Sequence, residues 1–177
     1  MDKSIEREEQ MFENANGEVV EEKPCEGAEQ CAKSWENPVE AAFALNGQDI
    51  RTYSPLVLAF IGDSVYDLIV RTVVVEQGNT HVNLLHKRCS QLVKADAQAA
   101  MVERLLPLLS EEETAVYKRG RNAKVSSKSR NASLAAYKKA TGFEALMGYL
   151  YLEHKMERIL ELVKLGLKEE LCRKQIP

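Results

Sequence analysis

The feature that most constrains the fold is a long apolar run with helical spacing and a clear start. Ser54-Pro55 places a hydroxyl at an N-cap and a proline at the first helical position. From Leu56 to about Val75 large apolar residues then recur without the strict alternation of a half-buried strand, and the run stops before Gln77-Gly78-Asn79. β-Branched residues crowd Val70 to Val75 and leave a strand open there, but length and caps favour helix.

Similar signals recur along the chain. Asn37-Pro38 opens a short helix through Val39 to Leu45 that stops at Asn46-Gly47. Two further helical stretches are expected over about 80–92 and 94–108, the second ending at Pro107 or just after it. Ser110 followed three residues later by Glu113 is a capping box and opens a helix towards Arg119. Gly, Asn and Ser then predict a loop from Gly120 to about Ser133. Residues 134–153 and 155–172 read as two final amphipathic helices. With no convincing strand and no internal repeat, the expected architecture is an all-α bundle.

At 177 residues the chain has material for one domain and a short appendage. Residues 1–49 carry thirteen acidic and four basic side chains, net −9, and residues 50–177 carry fourteen and twenty, net +6. Residues 1–36 are Glu-rich and poor in large aliphatics, so they read as a disordered acidic extension, with Trp35 at its edge. The domain expected over 37–177 is basic and favours polyanionic partners, although charge alone does not separate RNA from DNA or an acidic protein. The apolar stretches fall short of the roughly 20 residues a membrane span needs. No secretory signal is apparent, so a cytoplasmic location is the default expectation. Cys25, Cys31, Cys89 and Cys172 lack the Cys-x-x-Cys spacing of zinc sites and read mainly as free thiols, with a metal or disulfide role for the first two as the lesser reading.

Two acids are out of place. Asp63 interrupts the apolar run between Phe60-Ile61 and Val65, and Glu144 sits between Phe143 and Ala145-Leu146-Met147. A carboxylate in such a helix loses solvation and needs hydrogen bonds, a cation or a metal. Two such helices face to face would gather oxygen ligands for a hard cation such as Mg²⁺. The simpler reading, that each acid points to water, stays open on these residues alone, and it is the preferred one for Asp67.

The segment Phe60-Ile61-Gly62-Asp63-Ser64-Val65 resembles the signature of the ribonuclease III family. Thr141-Gly142-Phe143-Glu144-Ala145-Leu146-Met147-Gly148-Tyr149-Leu150-Tyr151-Leu152 resembles that family's later catalytic helix. Tyr117-Lys118-Arg119-Gly120-Arg121-Asn122-Ala123-Lys124 is similar to the basic loop of its compact Mini-ribonuclease III branch, which lacks the double-stranded-RNA-binding domain. The likeness spans about residues 51–170. Leu56, Ala59 and Thr141 stand where full-length members carry acids. The resemblance therefore implies a reduced site in which Asp63 and Glu144 are the catalytic metal ligands and Thr141 contributes at most indirectly.

That resemblance further implies a ribonuclease III-type catalytic domain forming a twofold dimer, with Phe60 packed at the interface. A monomer using Phe60 in its own core is the alternative. The implied reaction is Mg²⁺-dependent endonucleolytic cleavage of double-stranded RNA leaving 5′-phosphate and 3′-hydroxyl ends, in maturation of precursor 23S ribosomal RNA, with a ribosomal protein as a candidate assistant. The competing reading is a noncatalytic RNA-binding ribosome-assembly protein. Between Lys118 and Lys139 there are eight basic residues and no acid. Of these, Lys118, Arg119, Arg121, Lys124, Lys128 and Arg130, with Asn122, are the expected RNA contacts, and Arg121, Asn122 and Ser126 could reach 2′-hydroxyls or base edges in the shallow minor groove. His81, His86 and His154, with Lys87 and Arg88, read as surface groups.

Overall fold

The structure, a computed structural model, describes residues 12–13, 19–20, 37–124 and 133–172, the side chains of 12–13, 19–20 and 169–172 excepted. Two units divide the chain, Met1–Ser34 and Trp35–Pro177. In the first, β1 (Phe12–Glu13) pairs antiparallel with β2 (Val19–Val20), Phe12 opposite Val20 and Glu13 opposite Val19. Phe and Val suit a pleated surface, and this two-residue ladder is the one strand pairing among the described residues, where the sequence suggested none. The rest of the acidic extension, including Cys25, Cys31 and Trp35, lies outside the described residues.

The second unit is helical, and its starts follow the local caps. The Asn37 side chain accepts from the Val39 N–H at 3.1 Å and opens α1 (Pro38–Phe43), which stops two residues short of the expected end at Leu45 and is closed by Ala44 with φ 47°. Ser54 accepts from the Val57 N–H at 3.3 Å and opens α2 (Pro55–Glu76), so the Val70–Val75 stretch is helix. A break at Lys94 separates α3 (Val82–Val93) from α4 (Ala95–Leu105), and Pro107 sits in a 3-10 turn, Leu106–Leu108. The Ser110–Glu113 capping box forms in both directions, at 2.8 and 3.2 Å, and starts α5 (Glu111–Arg121). Helices α6 (Leu134–Leu152) and α7 (Met156–Cys172) complete the bundle. No helix among the described residues is long and apolar enough to cross a membrane.

The expected loop from Gly120 requires correction, because α5 runs through Gly120 and Arg121. A Cβ on Gly120 would lie 2.6 Å from the Ala145 Cβ and 2.9 Å from the Gly142 Cα. Gly120 thus serves as a close-approach position against α6 and does not break the helix. The loop proper begins near Asn122, and residues 125–132 lie outside the described residues.

Helices α2 and α6 form the centre of the bundle. They run antiparallel and touch backbone to backbone: a Cβ on Gly62 would meet the Glu144 carbonyl oxygen at 1.8 Å, and one on Gly148 would meet the Leu58 carbonyl oxygen at 2.0 Å. Around this crossing, Leu58, Tyr66, Val70, Phe143, Leu146, Met147 and Leu150 are fully buried, joined by Met101 and Leu105 of α4 and Ile159 and Leu162 of α7. The Tyr66 and Phe143 rings meet edge to face at 5.1 Å, a geometry that adds to their area burial. Tyr66 Oη also donates to the Leu92 carbonyl at 3.2 Å, tying the end of α3 to the core. On the other side of α6, buried Glu113 accepts from Arg158 at 2.9 and 3.0 Å, and Arg158 donates to the Leu108 carbonyl at 2.8 Å, clamping α5 to α7.

Candidate active site

The glycine crossing brings the two misplaced acids together. Asp63 follows Gly62 directly, and the Gly62 Cα lies against the backbone of Glu144 itself. Any side chain larger than hydrogen at position 62 would hold the helices apart. Asp63 is exposed at the surface of α2, whereas Glu144 is half-buried. Burial, and secondarily the charge of Asp63, pushes the Glu144 carboxyl up to about 7, and a side-chain hydrogen bond from Gln98 acts in the opposite direction. Asp63 is raised by its own desolvation and then by Asp67.

Two like charges in a partly desolvated cleft are unfavourable unless a proton or cation is shared between them. Among the described residues no Lys, Arg or His forms an ion pair with either acid. Asp67 takes Arg71 at 2.5 Å, and Lys139 is held by Glu103. The donor set therefore fits a hard divalent cation, for which carboxylate oxygens are the ordinary ligands. Among the described residues no third His, Cys, Asp or Glu joins them in a cluster able to hold a metal. At the positions of the missing acids, Leu56 is exposed, Ala59 is buried, and buried Thr141 donates its hydroxyl to the Tyr137 carbonyl at 3.1 Å within its own helix.

The basic residues stand beside this pair. Because Gly120 packs on Thr141 and Gly142, the last turn of α5 borders α6 just ahead of Glu144. That turn carries Lys118, Arg119 and Arg121, where cations also complement the helix dipole. Lys118, Arg119, Asn122 and Lys124 are exposed. Arg119 donates to the Tyr53 carbonyl at 3.2 Å, and half-buried Arg121 lies over the Tyr117 ring at 5.9 Å with its Nε directed at Asn122 Oδ1, 3.3 Å away. Lys128, Arg130 and Ser126 lie outside the described residues. His81, His86 and His154 are exposed, and His154 faces Glu40 at 3.0 Å.

Phe60 is 79% exposed, so it takes no part in the monomer's core. Val57, one turn earlier on α2, is also exposed. The residue missed by sequence reasoning is Gln98, a polar side chain buried to 1% exposure whose Nε2 donates to the Val93 carbonyl at 2.9 Å. Its signal was available: with Met101, Val102 and Leu105 it occupies the i, i+3, i+4, i+7 stripe of α4, where a polar residue is out of pattern.

Comparison with known proteins fits this arrangement. The Ribonuclease III domain family matches residues 56–155, a span that holds both acids, the α2–α6 crossing and the basic end of α5. The class defined by fold and site is thus a ribonuclease III-type nuclease. Among curated relatives, Mini-ribonuclease 3 of Clostridium tetani is 48% identical over 119 residues, covering 67% of this chain and 79% of the relative. Mini-ribonuclease 3 of a Thermoanaerobacter species is 46% identical over 136 residues, covering 77% of this chain and 96% of the relative. The crystal structure of protein FN1578 from Fusobacterium nucleatum superposes with a TM-score of 0.64 at 33% identity, covering 70% of this chain and 99% of that one. This chain belongs to the ribonuclease III family, in its Mini-ribonuclease III branch, and is an endoribonuclease.

Proposed function

We propose that the chain cleaves double-stranded RNA as a Mg²⁺-dependent twofold homodimer. The observation that carries the metal reading is the pair Asp63 and Glu144, brought together by the Gly62 contact, with no cation among the described residues paired to either. Asp63 and Glu144 hold the ion. When bound, Mg²⁺ stabilises charge at the scissile phosphate and acidifies a water. The resemblance to the family supports 5′-phosphate and 3′-hydroxyl products.

The protein's remaining contribution is positioning. Lys118, Arg119, Arg121 and Lys124 neutralise backbone phosphates beside the cleavage point, and Asn122 reads the shallow minor groove. Lys128 and Arg130 extend the same basic stretch in sequence. Cutting both strands takes two sites, and the exposed Phe60 and Val57 on α2 supply an apolar patch for the partner subunit, close to Asp63. The substrate proposed is precursor 23S ribosomal RNA, with a ribosomal protein as a candidate accessory.

Incubation of the wild type, Asp63→Asn and Glu144→Gln with a structured precursor RNA and Mg²⁺ tests this. The expected outcome is cleavage by the wild type and loss of at least about a hundredfold in rate for each variant, with RNA binding retained. A folded wild-type dimer that binds the RNA without cutting it would favour a noncatalytic assembly role instead.

A further inference from the structure

Glu112, Ala115, Val116 and Arg119 fall at i, i+3, i+4 and i+7 on one face of α5 and form a wall of a cleft of about 150 Å³. Leu58 of α2, Tyr149 of α6 and the 3-10 turn Ile50–Thr52 line it from the other elements. Its surfaces differ in chemistry. Leu58 and Val116 are buried and apolar, Arg119 is exposed, and the Glu112 side chain is 67% exposed with a long ion pair to Lys155, 3.8 Å. The Tyr149 hydroxyl is buried with no hydrogen-bond partner among the described residues. Burial, and then the nearby Glu112 carboxylate, raises this phenol above its usual range. A buried hydroxyl left unpaired costs about 1–3 kcal/mol, and phenylalanine would fill the same space without that cost.

Volume and polar groups together define an occupant. A cavity of this size holds one benzene-sized ring, so a pyrimidine fits and the fused rings of a purine do not. Along its pairing edge cytosine presents an amine donor and then two acceptors, N3 and O2; Glu112 accepts, while Tyr149 and Arg119 donate. Uracil would instead set its O4 against the Glu112 carboxylate, two acceptors with no proton between them. Arg119 belongs to the basic end of α5, so this wall of the cleft runs up to the proposed phosphate contacts. We infer that the cleft is a subsite for one unpaired cytosine in an RNA strand flanking the bound duplex, with Glu112, Tyr149 and Arg119 reading its edge. The inference rests on the reading that the end of α5 contacts duplex phosphates.

The test is RNA affinity of the full chain, in chelator to prevent cleavage, for a blunt duplex and for the same duplex with a single-stranded flank of cytidine, uridine or guanosine. Wild type should bind the cytidine flank at least about fivefold more tightly than either other flank. Ala115→Phe, which fills the cleft from an exposed position on α5, should erase that preference and leave blunt-duplex affinity within about twofold. Glu112→Gln should move the preference towards uridine, because its carboxamide can donate to O4. Flank binding independent of base in the wild type, or a preference that survives in folded Ala115→Phe, would overturn the inference while leaving duplex binding standing. If Ala115→Phe fails to fold, Glu112→Gln decides, and an unchanged cytidine preference there would overturn the inference. Blunt-duplex affinity unchanged in Arg119→Ala with Arg121→Ala would overturn the phosphate reading itself. Cytidine monophosphate alone should bind at least about a hundredfold more weakly than the flanked duplex, which brings its own phosphate contacts. Equal affinity would make the cleft a free-nucleotide site and overturn the assignment to RNA.

Discussion

Replacing Gly62 by Ala should damage stability and metal binding together, and the size of the effect follows from the α2–α6 contact. The new Cβ would lie 1.8 Å from the Glu144 carbonyl oxygen, 2.5 Å from the Gly148 nitrogen and 2.9 Å from the Glu144 carbonyl carbon. All three obstacles are backbone, so no side-chain rotation relieves them, and the helices must separate by roughly 1.5 Å to reach ordinary van der Waals distance. Overpacking of this sort costs about 1–3 kcal/mol, and a backbone clash belongs at or above the upper end. Ala returns up to about 1 kcal/mol through helix propensity, leaving a net loss of about 2 kcal/mol or more. Urea unfolding at fixed protein concentration should show the midpoint falling by about 1 M for a slope near 2 kcal/mol/M. Mn²⁺ affinity should fall with it, because separation of the helices draws Asp63 from Glu144. Gly47→Ala is the control, since nothing lies within 4 Å of its added Cβ. A Gly62→Ala protein within about 0.5 kcal/mol of wild type, the scatter of an ordinary surface substitution, would refute the reasoning.

Further outcomes follow from individual groups. In metal-free protein, Glu144 holds its proton up to about pH 7, whereas the unfolded chain releases it near the ordinary value of 4.5. The folded state thus binds the extra proton in this window, and wild-type stability should decline relative to Glu144→Gln as pH rises through it, by up to about 3 kcal/mol at pH 8 in urea titrations with chelator. Arg158→Met should cost about 2–3 kcal/mol near neutral pH, below the range for a fully buried pair because Arg158 is 27% exposed. Glu113 is held below its usual range, chiefly by Arg158, so its contribution is present above the unfolded value and lost as pH falls through the folded one. The difference between wild type and Arg158→Met should accordingly shrink in acid. Arg119→Ala with Arg121→Ala should weaken RNA binding and reduce the salt slope by up to about 2, with Mg²⁺ affinity nearly unchanged. An unchanged slope in binding titrations would argue against phosphate contact.

The legible parts of the fold were those set by neighbours in sequence. Asn37, Ser54 and Ser110 cap their helices through bonds to residues two or three positions on, so their types and spacing announced the helix starts. Gly120 was misread because its role depends on Gly142 and Ala145, partners that local propensity cannot see. Burial of the helices around Asp63 and Glu144 was readable from their apolar flanks, but their proximity depends on Gly62 and Gly148 letting two distant segments touch. Resemblance to the family pointed to the pair, and the crossing supplies the physical reason. Gln98 escaped because α4 was read for its length alone. A polar residue aligned with Met101, Val102 and Leu105 carried the same kind of signal as Asp63 within α2.

The central claim is that the close α2–α6 approach lets two carboxylates hold one divalent cation. Anomalous diffraction from crystals grown with Mn²⁺ tests it most directly. The account predicts a peak within ligand distance of carboxylate oxygens of both Asp63 and Glu144, absent in Glu144→Gln. Mn²⁺ bound elsewhere, with the pair empty at a concentration that supports cleavage, would contradict it.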